Sequence, residues 1–272
     1  MSSVSRRAFL AGVAGAAAAG WLWLRDSGLQ VEPDPEVATR TEAPASSTAS
    51  PTPSAEPGTT PPPSTTSTTT STSTTTAPAV AIAALCRESW AAADPTGDFT
   101  SHTIERLTVH HTARLLTDNR NAPAAVRGHQ RFHQLDRGWA DIAYHFIIDL
   151  DGNVYECRPV DAVGDTGTNY DPTGHFLVCC EGDFNSQEIP PAMQAALVDV
   201  LAWAAEHFDV GTETIAGHRD WAATSCPGDN LHPLIESGEL AAAVDSRIAE
   251  GGVQLEVVCG EEAAERVRVI EA

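Results

Sequence analysis

From Val80 onward the chain alternates short apolar runs with stretches whose apolar residues recur at helical spacing, a pattern that predicts an α/β domain. LTVHHTA (107–113) reads as a central strand, with Leu107 and Val109 on one face and His110 on the other. In NAPAAVRGHQRFHQL (121–135), Ala125, Val126, His129, Phe132 and His133 share a helical face. Asn121 is the expected N-cap of that helix and Pro123 falls in its first turn. YHFIIDLDGNVYECRP (144–159) predicts a hairpin whose turn is Asp151-Gly152. HFLVCCEGDF (175–184) is apolar on both faces over its first half and predicts a buried strand. A long helix is expected from Pro191 to about Phe208, its core face carrying Met193, Leu197, Val200, Leu201, Ala204 and Phe208. TIAGHRD (214–220) predicts a last short strand ending at His218, and a helix over 233–247 closes the domain. The end of the chain, 251–272, holds a strand-like VQLEVVC followed by charge and is set apart as an extension.

Composition divides the chain before that domain begins. Residues 31–79 are dominated by Pro, Ser, Thr, Ala and Glu, which offer no apolar surface to offset the entropy of ordering, so a solvated linker is expected. Residues 1–30 carry Ser5-Arg6-Arg7-Ala8-Phe9-Leu10 and then an Ala- and Gly-rich stretch, the pattern of a twin-arginine export signal. Cleavage is expected near Ala17 and Ala19. The alternative is an uncleaved membrane tether through Trp21, Leu22, Trp23 and Leu24. The folded domain is therefore bounded at 80–250 and placed outside the cytoplasm, secreted or at the cell wall, as a monomer. A net charge of −21 excludes a general nucleic-acid binder. All 16 basic residues are Arg, so no Lys serves in any site.

Export to an oxidising space changes how the six cysteines read. Cys179 and Cys180 are adjacent in a strand and face opposite sides, so at most two disulfides fit once Cys226 is set aside. Connectivity is open, although Cys86 with Cys259 would tie the start of the domain to its tail.

The candidate chemistry lies in GHRDWAATSCPGDNL (217–231), where His218 and Cys226 stand eight residues apart. Imidazole and thiolate are ligands that zinc favours, and a third arrives from His110 or His111. Three protein ligands leave the fourth tetrahedral position to water, which favours catalysis over a closed structural site. A structural site would need a fourth ligand, for which Asp229 or His232 is the candidate.

VHHTA, then FHQLDRGWADIAYHFIIDLDGNVYE (132–156), then GHRDWAATSCPGDNL, in this order, resemble the zinc amidases of the type 2 N-acetylmuramoyl-L-alanine amidase and peptidoglycan recognition superfamily. The likeness spans residues 85–240. It implies an α/β fold, a mixed central sheet flanked by helices on both faces, with Zn²⁺ at the floor of a groove. By this resemblance the metal ligands fall on His110, His218 and Cys226, and the catalytic residues on Tyr144 and Thr224. Substrate contacts fall on His133, Arg137 and Thr166. His111 and His145 are left as structural histidines. Where the family commonly has Gly-x-His-Thr, this chain has Val163-Gly164-Asp165-Thr166, and GDTGTNYDPTGH (164–175) departs most from the family pattern. The resemblance implies hydrolysis of the bond between N-acetylmuramic acid and L-alanine in peptidoglycan or a muropeptide. The alternative is a wall-binding module of the same fold that does not cut.

Overall fold

A computed structural model describes residues 78–272; the expected signal and nearly all of the linker lie outside the described residues. Seven strands build the fold: β1 Val80–Leu85, β2 Arg106–His111, β3 Phe146–Ile148, β4 Val154–Glu156, β5 His175–Cys180, β6 Ala216–Gly217 and β7 Val253–Val258. They form one sheet in the order β6-β2-β5-β3-β4-β1-β7. The hairpin β3–β4 is antiparallel, and the remaining pairings are parallel. Five helices accompany it: α1 Ala122–Leu135, α2 Pro191–Phe208, α3 His232–Glu236, α4 Glu239–Ala249 and α5 Gly260–Ile270. The mixed sheet with flanking helices is the architecture expected from the sequence.

Strand alternation sorts the core into two layers. Leu107, Val109, Phe176, Val178 and Cys180 point toward Met193, Leu197, Val200 and Leu201 of α2 and Leu240 and Val244 of α4. On the other face Ile147, Tyr155 and Cys179 meet Val126 of α1 and Ala263 and Val267 of α5. A sheet covered on both sides explains why β5 is buried along its whole length.

Three local expectations change. Asn121 is helical in backbone and makes no capping bond. A 3-10 turn, Asn119–Asn121, occupies that entrance, and Asp118 caps it by accepting the Arg120 N–H at 3.1 Å. The helix expected over 233–247 is two, α3 and α4, separated where Gly238 adopts φ 78°. The stretch set apart as 251–272 belongs to the sheet. β7 pairs with β1 over six residues, and α5 then packs under the core. Cys86 and Cys259 are disulfide-bonded just beyond those strands.

The topology also places the chemistry. In register, His110 lies beside Cys179 on the layer shared with α1, and His111 lies beside Cys180 on the α2 layer. β6 pairs Ala216 with Thr108 and Gly217 with Val109, so the chain leaves the sheet edge at His218 next to His110. Carboxyl ends of parallel strands are where open α/β sheets collect ligands.

Candidate metal centre

His110, His218 and Cys226 are buried, and their ligand atoms lie within 4.8 Å of one another. Each arrives by a different route. His110 is fixed near the end of an interior strand. His218 opens the 3-10 helix His218–Asp220 at the exit of β6. Cys226 sits on the following loop, which Arg219 grips through its backbone N–H to Cys226 O at 2.8 Å, its guanidinium to Ser225 O, and an ion pair with Asp229 at 2.9 Å. Thr224 Oγ1 accepts the Cys226 N–H at 3.2 Å and so orders the approach to the thiol. Gly217 is needed for closeness, because a Cβ there would lie 2.8 Å from Pro227 and 2.9 Å from His232.

The donor set fits zinc. Ideal tetrahedral bonds to nitrogen and sulfur separate the two ligand atoms by about 3.6 Å, and His110 Nδ1 stands 3.6 Å from Cys226 Sγ. Cys226 Sγ also accepts the His111 N–H at 3.3 Å, a contact that favours thiolate. His110 Nε2 is buried with no hydrogen-bond partner, so the protein alone leaves this ring incompletely used. Burial, reinforced by the neighbouring His218, holds His110 well below the ordinary histidine range. Burial lowers His218 to about 4. Both rings are therefore neutral at pH 7, the form that binds a cation. Asp229 and His232 are engaged elsewhere, with Arg219 and with Asp220 at 2.9 Å.

Tyr144 borders this cluster. Its ring centroid is 5.3 Å from that of His110 and 5.9 Å from that of His133. The segment bearing it is held from behind by Arg158, which donates to Ile142 O at 2.8 Å and Asp141 O at 3.0 Å. His133 has a related duty. Its Nδ1 accepts the Ala143 N–H at 3.1 Å, its ring packs 4.8 Å from Trp139, and burial lowers it to about 3. His145 is satisfied at both nitrogens, accepting from Leu177 N at 2.9 Å and donating to Ala162 O at 3.0 Å. His111 Nδ1 accepts from Phe184 N at 3.2 Å on the opposite face of the sheet.

Arg137 is exposed, its guanidinium lying over the rings of Phe132 and Trp139. Thr166 Oγ1 is 2.8 Å from Thr168 Oγ1, which is in turn 2.8 Å from His218 Nε2. Beside these residues lies a cavity of about 490 Å³ lined by Phe99, Trp139, Arg158 and Asp165 among others. Thr168, Arg219 and Arg158 escaped sequence reasoning. Only Thr168 had a signal, its place in the unusual 164–175 loop.

Known proteins point the same way. The sequence profile described as N-acetylmuramoyl-L-alanine amidase matches residues 100–229. Mouse peptidoglycan recognition protein 1 is 30% identical over 140 residues, covering 51% of this chain and 77% of that protein. The human N-acetylmuramoyl-L-alanine amidase is 35% identical over 136 residues, 48% of this chain but 23% of that protein. Among solved structures, peptidoglycan recognition protein LE in complex with tracheal cytotoxin superimposes with a TM-score of 0.52 at 26% identity, covering 57% of this chain and 92% of that one. With the profile, the relatives and the fold in agreement, the chain belongs to the family of type 2 N-acetylmuramoyl-L-alanine amidases and peptidoglycan recognition proteins.

Proposed function

We propose that this protein is an exported zinc amidase that hydrolyses the bond between the lactyl group of N-acetylmuramic acid and L-alanine. The observation that carries the reading is the buried His110, His218 and Cys226 cluster with a phenol, Tyr144, against it. Zinc, when bound, supplies Lewis acidity toward an amide carbonyl and acidifies water. The chain's own residues supply position and protons. Tyr144 directs an O–H toward the oxyanion that develops as the amide carbonyl is attacked. Thr224, whose oxygen already accepts the Cys226 N–H, keeps its own hydroxyl proton for the same charge. His133 keeps the Tyr144 segment in place through Ala143.

Arg137, exposed over two aromatic rings, pairs with a carboxylate of the peptide stem. A relative's complex with tracheal cytotoxin, a monomeric diaminopimelic acid-type peptidoglycan, supports a muropeptide as ligand here. Among the described residues no helix is long and apolar enough to cross a membrane.

The test is digestion of purified wall followed by mass spectrometry of the products. Free L-alanine amino termini are expected with zinc, lost with chelator and restored by added zinc. Wall binding without metal-dependent release of those termini contradicts the enzyme and leaves a binding module.

A further inference from the structure

The loop that departs most from the family pattern touches the metal cluster directly. Thr168 Oγ1 lies 2.8 Å from His218 Nε2, and Thr168 N–H donates to Thr166 Oγ1 at 3.1 Å. The two hydroxyls are 2.8 Å apart. Tyr170, two residues on, sets its ring 5.0 Å from His218 and 5.1 Å from His175. The loop is pinned at its start. Asp165 pairs with Arg158, and Gly164 packs so that a Cβ would lie 2.7 Å from Ala143 O.

We propose that Thr168 is a positioning residue that fixes the tautomer and rotation of His218, so that Nδ1 is the nitrogen offered to the metal. A neutral imidazole has one donor and one acceptor nitrogen. A nitrogen engaged with a hydroxyl at 2.8 Å has no lone pair free for an ion. The consistent arrangement is a relay in which His218 Nε2–H donates to Thr168, and the Thr168 hydroxyl donates to Thr166. Thr166 then serves as the relay's terminal acceptor, a different use from the substrate contact expected of it. Tyr170 and His110 pack against the His218 ring at centroid distances of 5.0 and 4.7 Å, contacts that resist its rotation out of the relay. Partners of this kind on the far nitrogen raise the basicity of a ligating histidine and hold its plane.

This inference rests on the zinc reading, and two measurements separate their failures. Zinc affinity of the full chain, by competition with a chelator, is expected to fall about 10–100-fold in Thr168→Val and to stay within about threefold of wild type in Thr168→Ser. An unchanged affinity in a folded Thr168→Val overturns the proposal, as does an equal loss in Thr168→Ser. In the metal-free full chain, two-bond ¹H–¹⁵N spectra of His218 are expected to show the Nε2–H tautomer. Finding Nδ1–H overturns the proposal without any metal present, and this reading stands even if Thr168→Val fails to fold. A wild-type chain that binds no zinc contradicts the zinc reading, while the tautomer still reports on the relay.

Discussion

The two edges of the sheet are held by different chemistry. At the β6–β2 edge, side-chain polar contacts do the holding: Cys226 Sγ takes the His111 N–H, Arg219 clamps the loop, and His218 rests on Thr168. At the β1–β7 edge a disulfide joins Cys86 to Cys259 across 173 residues, and only Val253 of β7 is buried. Cys157, Cys179, Cys180 and Cys226 are buried and form no disulfide. The crosslink therefore sits at the opposite end of the strand order from Cys226, the thiol proposed as a metal ligand. One edge keeps its cysteine uncrosslinked beside the candidate site, and the other carries a covalent closure next to a thinly buried strand.

This contrast predicts a double dissociation. Cys226→Ser should weaken zinc binding by more than ~1000-fold and abolish wall hydrolysis, while the metal-free protein melts near the wild-type temperature. Calorimetry with and without zinc checks it. Tyr144→Phe should slow turnover by about 10²–10³-fold with zinc affinity preserved, because it removes one donor to a developing oxyanion and no ligand. An unchanged turnover number removes Tyr144 from the mechanism. At the other edge, replacing both Cys86 and Cys259 by Ser should cost about 2–5 kcal/mol of folding stability, read by denaturant titration. Zinc affinity should stay within about twofold, since the metal edge shares no element with the disulfide. A loss of metal in that variant would mean that the two edges are coupled.

Acid should act mainly on the metal side of the sheet, where the buried histidines cluster. His133 and His145, desolvated by burial, are held at about 3 against an ordinary value of 6.5. Below 6.5 the unfolded chain binds protons that the fold refuses. Their stabilising contribution is complete above that pH and is lost progressively as pH falls toward 3, at about 1.4 kcal/mol per pH unit for each ring. Denaturant midpoints measured from pH 7 to pH 4 read this slope. A flat profile would mean these rings are not neutral in the fold.

Much of this arrangement was legible in the sequence. β2, the β3–β4 hairpin, β5 and α2 have strong periodicity and lie where the pattern puts them, because each buries a continuous face. VQLEVVC already read as strand-like, but its place beside β1 did not, since an edge strand with one buried residue carries little signal of which partner it joins. The α3–α4 break depends on a positive φ at Gly238 that propensity does not reveal. At the site, VHHTA and GHRDWAATSC marked the three residues that the fold gathers. Their supports were hidden, because Thr168 reaches His218 across 50 positions and Arg158 reaches Ile142 across 16. Such contacts are products of the topology, and local spacing carries no trace of them.

The central claim is one zinc ion with two imidazole nitrogens, one thiolate sulfur and an open position. Zinc-edge X-ray absorption of the loaded full chain tests it directly. The account predicts a single sulfur shell at about 2.3 Å with the remaining scatterers nitrogen or oxygen, two of them imidazoles. A second sulfur, a third imidazole, or a shell with no sulfur would contradict it.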